Sequence, residues 1–557
     1  MADASNAKKK QQGAIGIKET LSSLIIAFML AFLFRGFVIE GFQIPTGSMA
    51  PTLLGKHIRF QGEQSGYNWE TGPWTYQDPR TRRFPSNEQV DMILQDPMSG
   101  MQVTDTNRRL AAGDRVFVLK YLPLLHHPER WDVVVFKNPG QHINYIKRLI
   151  GLPGEQLAVV DGDVFTRPYV EGQTATSGWD AWTKDDWQVQ RKPERVQRAM
   201  LQEVFDSSYA PVEQIEYRSP FTGIGAGWDG VGTGREYAFD GSGSTTLRWN
   251  DRRPITDFNA YNQTLPRIDL FASSDDTSYP DGVRPFPTSD LALSCNIRSQ
   301  GGGVVASPTI TARGMELRAQ IDLGAGSASV MMRDATSADS PWTELDSGSF
   351  GPVGEGGWAH VEFWHIDQAL WVFIDGELVA GGAEQGAYEW TPAQRASAAT
   401  AMSWQELEDY PDVGDGVSSL GVFHKTELYV KPEVRWDFEG GPFELTHVRV
   451  QRDISYHIHQ RVVTRGAHPN NFPTMTGEQF FMCGDNSSNS EDSRLWRDND
   501  INAWVRQEID DAPGVVNRDL VVGKAFVVYF PAPLHDSGGA GKVGLFSIDF
   551  GRLRWIW

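Results

Sequence analysis

Three short stretches of this chain hold residue types that could make and break bonds. In the first, PTGSMAPTL (Pro45 to Leu53), Ser48 stands between Gly47 and Met49, in a loop where glycine lets a second backbone approach closely. Glycine and serine beside proline also mark ordinary turns, so this loop alone does not separate a nucleophile from a turn. In the second, YIKRLIGLPGE, Lys147 follows Tyr145 and Ile146. On a strand, Lys147 shares a face with Tyr145 and Leu149, and such large neighbours would strip water from its amine. A lysine with an ordinary pKa of ~10.4 becomes a base near neutral pH only if burial without a carboxylate partner lowers it by several units. The rival reading is a strand lysine whose stem reaches to solvent beside Arg148. In the third, GDNSSNSEDSR, the groups Asp485, Asn486, Ser490, Asp492, Ser493 and Arg494 crowd between two apolar runs. A turn with a surface ion pair gives that composition, and so does a hydrogen-bonding shell around a buried amine.

The elements that must bring these stretches together read as strands. RVFVLKY (Arg115 to Tyr121), DVVVFKN (Asp132 to Asn138), NYIKRLIGL (Asn144 to Leu152) and QLAVVDGDVF (Gln156 to Phe165) are β-branched and aromatic runs separated by Pro, Gly and Asp, the pattern of an antiparallel β-domain. The pattern resumes from Leu445 and ends in VVGKAFVVYFP (Val521 to Pro531). Between the two halves lies a second β-rich region. Met315, Leu317, Ala319, Ile321 and Leu323 share one face there. Val361 and Phe363 alternate with His360, Glu362 and Trp364, and Asp375-Gly376 marks a tight turn. Many strands with one buried face predict a two-sheet sandwich, and this region resembles the laminin-G and concanavalin-like jelly rolls. At the other end of the chain, Lys8, Lys9 and Lys10 precede LSSLIIAFMLAFLFRGFVI (Leu21 to Ile39), long enough to span a bilayer, with Arg35 placed to snorkel. A cleaved leader has the same basic and apolar parts, but the bulky or charged residues after the run (Phe37, Glu40, Phe42) favour a retained anchor. Lysines ahead of the span place the N-terminus in the cytoplasm and the rest outside.

In order, the serine box PTGSMAPTL, the strand RWDVVVFKNP, the lysine box YIKRLIGLPGE and the terminal GDN...DSR box resemble those of the type I signal peptidases, membrane-anchored Ser-Lys proteases. The resemblance implies that Ser48 is the nucleophile and Lys147 its general base, a variant of triad logic. It implies an oxyanion hole made by the Ser48 backbone N–H and the Thr46 hydroxyl, an amine oriented by Ser490 and buttressed by Asp492 and Arg494, and small subsites lined by Met49, Tyr145 and Ile146. No cofactor or metal is implied. Ser487 departs from the family, which usually has arginine after Gly-Asp-Asn.

The expected fold is therefore mainly β: one N-terminal transmembrane helix, a signal-peptidase-type antiparallel catalytic domain and an inserted β-sandwich of jelly-roll type. The expected divisions are a cytoplasmic tail (1–20), the anchor (21–39), the first catalytic part (40–165, with an insertion at 55–112), a linker region (166–235), the sandwich (236–443), the second catalytic part (444–535) and a C-terminal tail (536–557). The expected activity is endopeptidase removal of N-terminal signal peptides from exported precursors at the outer face of the cytoplasmic membrane. The partners are then those signal peptides, the lipid bilayer and a cell-envelope ligand of the sandwich. The alternative is a membrane-tethered carbohydrate- or protein-binding module on an inactive peptidase scaffold. The formal charge of −20, from 51 basic and 71 acidic residues, argues against a nucleic-acid partner. Two cysteines, Cys295 and Cys483, are too few for a disulfide scaffold or a structural zinc site. If the sandwich folds on its own interior, replacing residues 166–443 by a short linker should leave cleavage within about tenfold.

Overall fold

The computed structural model of the chain describes all residues except 1, 74–91, 106–109, 121–126, 142, 171, 173–177, 214–216, 252, 264–284, 302, 338, 412–420, 459–463, 533, 536–545, 548 and 557. Parts of the expected 55–112 insertion and of the 536–557 tail thus lie outside the described residues. The chain begins with a helix, Ala2–Phe37, whose stretch Glu19–Phe37 has a mean hydropathy of 1.9 and is long and apolar enough to cross a membrane. The side chains described along this stretch are exposed, as a lipid-facing surface would be.

The β-branched runs form one antiparallel sheet with the strand order Ile39–Gln43, Arg115–Lys120, Val521–Phe530, Val133–Lys137, Asn144–Gly151, Gln479–Cys483, Val516–Asn517. Val521–Phe530, from the far end of the chain, therefore lies between two strands from the near end. Both faces of the Asn144–Gly151 strand are covered. Ile146 packs with Ile44, Met49, Leu53 and Val135, while Leu149 packs with Val134, Phe136 and Met482. The expected C-terminal tail is not separate from this sheet: Arg554–Trp555 pairs with Val521–Phe530, and the Arg552 guanidinium donates to the buried Asp114 carboxylate. The 55–112 region, without a period in the sequence, contributes two short hairpins, Ile58–Gln61 with Asn68–Thr71 and Met92–Gln95 with Gln102–Asp105.

The second region is a sandwich of two antiparallel sheets. One has the order Trp228–Asp229, Glu236–Phe239, Phe443–Arg452, Leu291–Ser299, Trp358–Ile366, Ala369–Ile374, Glu377–Gly381, with Gln202–Asp206 also on Phe443–Arg452. The other has the order Phe221–Ile224, Gly243–Trp249, Glu433–Gly440, Val304–Ala312, Met315–Asp322, Ser327–Asp334, Thr343–Ser349. Leu317, Ala319, Ile321, Val361, Phe363, Trp436 and Val450 meet in one core between them. Asp375 and Gly376 both have positive φ (50° and 85°), as the tight turn there requires.

The strands run beyond the expected boundaries. Part of the 166–235 stretch expected as a linker and the first residues expected to rejoin the catalytic part (from 444) are paired in the sandwich, with Gln202 opposite Arg452. Leu445 and, past a bulge at His447 (φ 49°), Val448 and Val450 face the same core; such a run reads equally well as either sheet, and the partner strand Leu291–Ser299 decides. The outward face of Trp358–Ile366 is also less open than alternation suggests, because Trp364 is buried with Phe373 and Ala292 under Leu201.

The two regions share a buried boundary. Ala158, Val160 and Phe165 pack with Ala393, Ala396, Leu407, Val422 and Phe423 from beyond the sandwich's central strands. Beside them Arg313 pairs with Asp161 and Asp290 at 2.6 and 2.7 Å, Arg395 pairs with Asp161, Asp163 and Asp290, and Lys192 pairs with Asp367 and Asp453 at 2.6 and 2.8 Å. The carboxylate oxygens of Asp163, Asp290 and Asp367 lie within 4.8 Å of one another, and basic side chains already neutralise them. Cys295 and Cys483 are both free and buried.

Candidate active site

The Ile39–Gln43 strand delivers the chain into the serine loop, which turns at once. Ala50 N–H donates to Gly47 O at 3.0 Å and Leu53 N–H to Met49 O at 2.8 Å, a single helical turn that lifts Ser48 to its rim. The turn is seated by Asp114, whose backbone carbonyl accepts from Ile44 N–H at 2.8 Å and whose carboxylate accepts from Leu54 N–H at 2.9 Å.

Across the sheet, Lys147 is 3% exposed, and its Nζ donates to Ser48 Oγ at 2.7 Å and to Ile146 O at 3.2 Å. The Tyr145 ring centroid lies 5.1 Å from the same nitrogen. Burial lowers the Lys147 pKa from 10.5 to about 8, against the weaker upward pull of Asp492. The snorkelling alternative fails for both residues of the pair. Arg148 is fully buried, with Nε and Nη2 on the two Asp485 carboxylate oxygens at 2.8 and 2.6 Å and Nη1 on Trp131 O at 2.7 Å.

The third stretch closes round these two. Asp492 and Arg494 are a buried pair: Arg494 Nη2 and Nε donate to the carboxylate at 2.8 and 2.9 Å, and Gly484 N–H adds a bond at 2.9 Å. Burial would raise the Asp492 carboxyl, but the Arg494 pair and the Gly484 hydrogen bond together outweigh it and hold the pKa below the ordinary value. Ser487, the departure from the family pattern, accepts from Arg494 at its hydroxyl (2.8 Å) and its carbonyl (2.9 Å). Ser490 Oγ is buried and makes no bond to the amine, whose partners are Ser48 Oγ and Ile146 O. It lies against Gly484, where an added Cβ would meet Ser490 Oγ at 2.2 Å and Ser48 O at 2.4 Å. Glycine there lets the third stretch approach the serine loop.

The resemblance assigns no role to Asn486, yet it joins two of the three stretches. Its side-chain amide donates to Gly47 O at 2.9 Å and its backbone N–H to Ser48 O at 3.1 Å. The Ser48 backbone N–H has no acceptor among the described residues, and Thr46 beside it is exposed. Met49, expected to line a subsite, is instead fully buried among Ile44, Leu53 and Val116. Ile146 is 8% exposed, and the half-buried Tyr145 packs beside Phe136 and Trp496. A neutral amine bonded to a half-buried hydroxyl, beside an unengaged N–H, can take the hydroxyl proton as the oxygen attacks a carbonyl.

Comparison with known proteins gives the same direction. The family described as "Signal peptidase, peptidase S26" matches residues 92–208 and 447–530, which include Lys147 and the Asp485–Arg494 stretch but not Ser48. Signal peptidase I of Buchnera aphidicola subsp. Schizaphis graminum is 32% identical over 139 residues, 25% of this chain and 30% of that protein. Signal peptidase I of Rickettsia prowazekii is 26% identical over 151 residues, 27% of this chain and 43% of that protein. The chain thus spans less than half the length of these relatives. Their likeness supports kinship with type I signal peptidases. Among solved structures, the carbohydrate binding module CBM66 from Bacillus subtilis overlays with a TM-score of 0.22 and 7% identity, over 42% of this chain and 96% of that one. Sheep galectin-11 does so with a TM-score of 0.17 and 11% identity, over 30% of this chain and 92% of that one.

Proposed function

We propose that the protein is a membrane-anchored serine endopeptidase that removes signal peptides from exported precursors. The observation that carries this reading is the 2.7 Å bond from the buried Lys147 amine to Ser48 Oγ. In this reading Lys147, neutral in its active form, takes the Ser48 proton as Oγ attacks the scissile carbonyl. The tetrahedral oxyanion is held by the Ser48 N–H, with the Thr46 hydroxyl turning in to join it. Lys147 then returns the proton to the leaving amine, and water hydrolyses the acyl-enzyme by the same route in reverse. Asp492 and Arg494 fix the wall behind the amine, Ser490 fills the gap beside Gly484, and Tyr145 and Ile146 border the place where small substrate side chains enter.

The division of labour follows. The apolar helix anchors the chain with its N-terminus in the cytoplasm, and the sheet carrying Ser48 stands at the outer face, close to where a substrate's own apolar segment meets the surface. The sandwich is a separate fold on the same chain, available to a cell-envelope ligand. A purely ligand-binding chain would have no use for a lysine held dry against a serine. The test is cleavage of a preprotein by the purified chain and by its Ser48→Ala and Lys147→Met variants. The wild type cuts at the signal-peptide junction and both variants lose the activity with an unchanged circular dichroism spectrum; substantial cutting by either variant refutes the dyad.

A further inference from the structure

The serine loop is gripped from a side that the peptidase motifs do not supply. A short segment of the inserted region, Asn259 to Asn262, lies against it. Asn259 Nδ2 donates to Ala50 O at 3.3 Å, Tyr261 Oη donates to Lys56 O at 2.6 Å, and Tyr261 O accepts from Gly72 N–H at 2.7 Å. The Tyr261 ring is 2% exposed and packs on Ala50 and Leu54. It also closes over Gly47, where an added Cβ would stand 1.9 Å from the ring, although Gly47 itself does not adopt a positive φ. Asn262 completes the contact through a reciprocal amide pair: its Nδ2 donates to Asn486 Oδ1 at 2.6 Å and its Oδ1 accepts from Asn486 Nδ2 at 2.8 Å. Asn486 is the residue that holds the carbonyls of Gly47 and Ser48.

On the reading that Ser48 is the nucleophile, we infer that Tyr261 and Asn262 are positioning residues, a clamp supplied by the insertion that holds the Ser48 turn against Lys147. The physical case is one of accumulated constraint. Met49, Leu53 and the Asp114 bonds seat the turn from the sheet side, but the half-buried Ser48 at its rim and the exposed Thr46 before it are free to shift unless the opposite side is held too. Here two carbonyls are bonded by Asn486, which is itself held by Asn262, two more are bonded by Asn259 and Tyr261, and an aromatic ring forbids movement of Gly47 toward the insertion. Holding the reacting atoms near an attack geometry is worth orders of magnitude in rate, so loss of the clamp should appear in kcat and not in KM.

The test uses the full-length chain in detergent. Tyr261→Ala and Asn262→Leu should each lower kcat at least tenfold with KM within twofold, while Tyr261→Phe, which keeps the ring, stays within threefold. Gly47→Ala, whose methyl meets the ring, should lose at least a hundredfold, and Gly47→Ala combined with Tyr261→Ala should recover at least ten times the activity of Gly47→Ala alone. Independently of any substrate, hydrogen exchange of the backbone from Thr46 to Leu54 should accelerate in Tyr261→Ala and Asn262→Leu and be unchanged in Tyr261→Phe. Absence of rescue in the double variant, or unchanged exchange in Tyr261→Ala and Asn262→Leu, overturns the clamp. Should the wild type cleave nothing, the peptidase reading falls by itself and the exchange result alone decides the clamp.

Discussion

The buried amine makes a quantitative statement about pH. Lys147 moves from 10.5 to about 8 because the folded chain removes water from around it. That displacement corresponds to about 3 kcal/mol of preference for the neutral amine. At pH 7 roughly one Lys147 in ten is then neutral, against roughly three in ten thousand for an unburied lysine, so burial alone multiplies the competent base by about 300. On the proposed mechanism the active species is the deprotonated one. Activity is therefore lost as protons are added below the folded pKa and is complete above it. With a short peptide substrate, log kcat/KM should rise with a slope near one up to about pH 8 and then level. Asp492 supplies the largest upward pull on the amine, so Asp492→Asn should move this limb toward acid, the opposite of what a weakened base environment would do. The assay is the pH profile of both enzymes between mildly acidic and alkaline pH, under conditions where chemistry limits the rate, with thermal melts confirming that the variant is folded. A flat profile, or an alkaline shift in Asp492→Asn, would refute the argument that desolvation prepares Lys147.

Three further outcomes follow from other features. Arg148→Leu should destabilise the fold by ~3–5 kcal/mol, because it leaves the Asp485 carboxylate buried without its bidentate partner, and Arg148→Leu/Asp485→Leu should regain most of the loss in a denaturant melt. Replacing residues 166–443 by a Gly/Ser linker should now cost far more than tenfold in kcat/KM, since it removes Tyr261 and Asn262 and uncovers Ala158, Val160 and Phe165; retention of activity within tenfold would restore the view of a detachable module. Protease added outside spheroplasts should digest everything beyond the helix, and protection of that part would reverse the proposed orientation.

The chemistry was legible where it is local. Lys147 declares its burial through the large residues around it on the strand, and the apolar runs flanking the GDN...DSR stretch place it between strands of the same sheet. Partners that depend on distant chain are not legible. Nothing about Asn-Ala-Tyr-Asn at 259–262 marks it as a neighbour of a serine two hundred residues earlier, because the contact is made by backbone carbonyls that carry no sequence signature. The same holds for Phe443–Arg452. Its apolar run fits either sheet, and the pairing with Leu291–Ser299, Gln202–Asp206 and Glu236–Phe239 assigns it. Met49 and Ser490 show the limit of position-by-position transfer, since the order of residues carries over while the side-chain environment is set by what packs beside it here.

The place of Val521–Phe530 in the first sheet has a consequence for synthesis. This strand sits between Arg115–Lys120 and Val133–Lys137, which emerge from the ribosome some four hundred residues earlier. Until it arrives, those two strands present unpaired edges, and the sheet cannot close by local steps alone. The sandwich has no such wait, because its last strand, Phe443–Arg452, is complete well before the chain is. The insertion can thus fold first, and Ser48 and Lys147, which stand on opposite sides of the missing strand, meet on a finished wall only after Val521–Phe530 has been made. A chain of this design carries its own delay, with the Ser48–Lys147 pair left unassembled until that late strand is added.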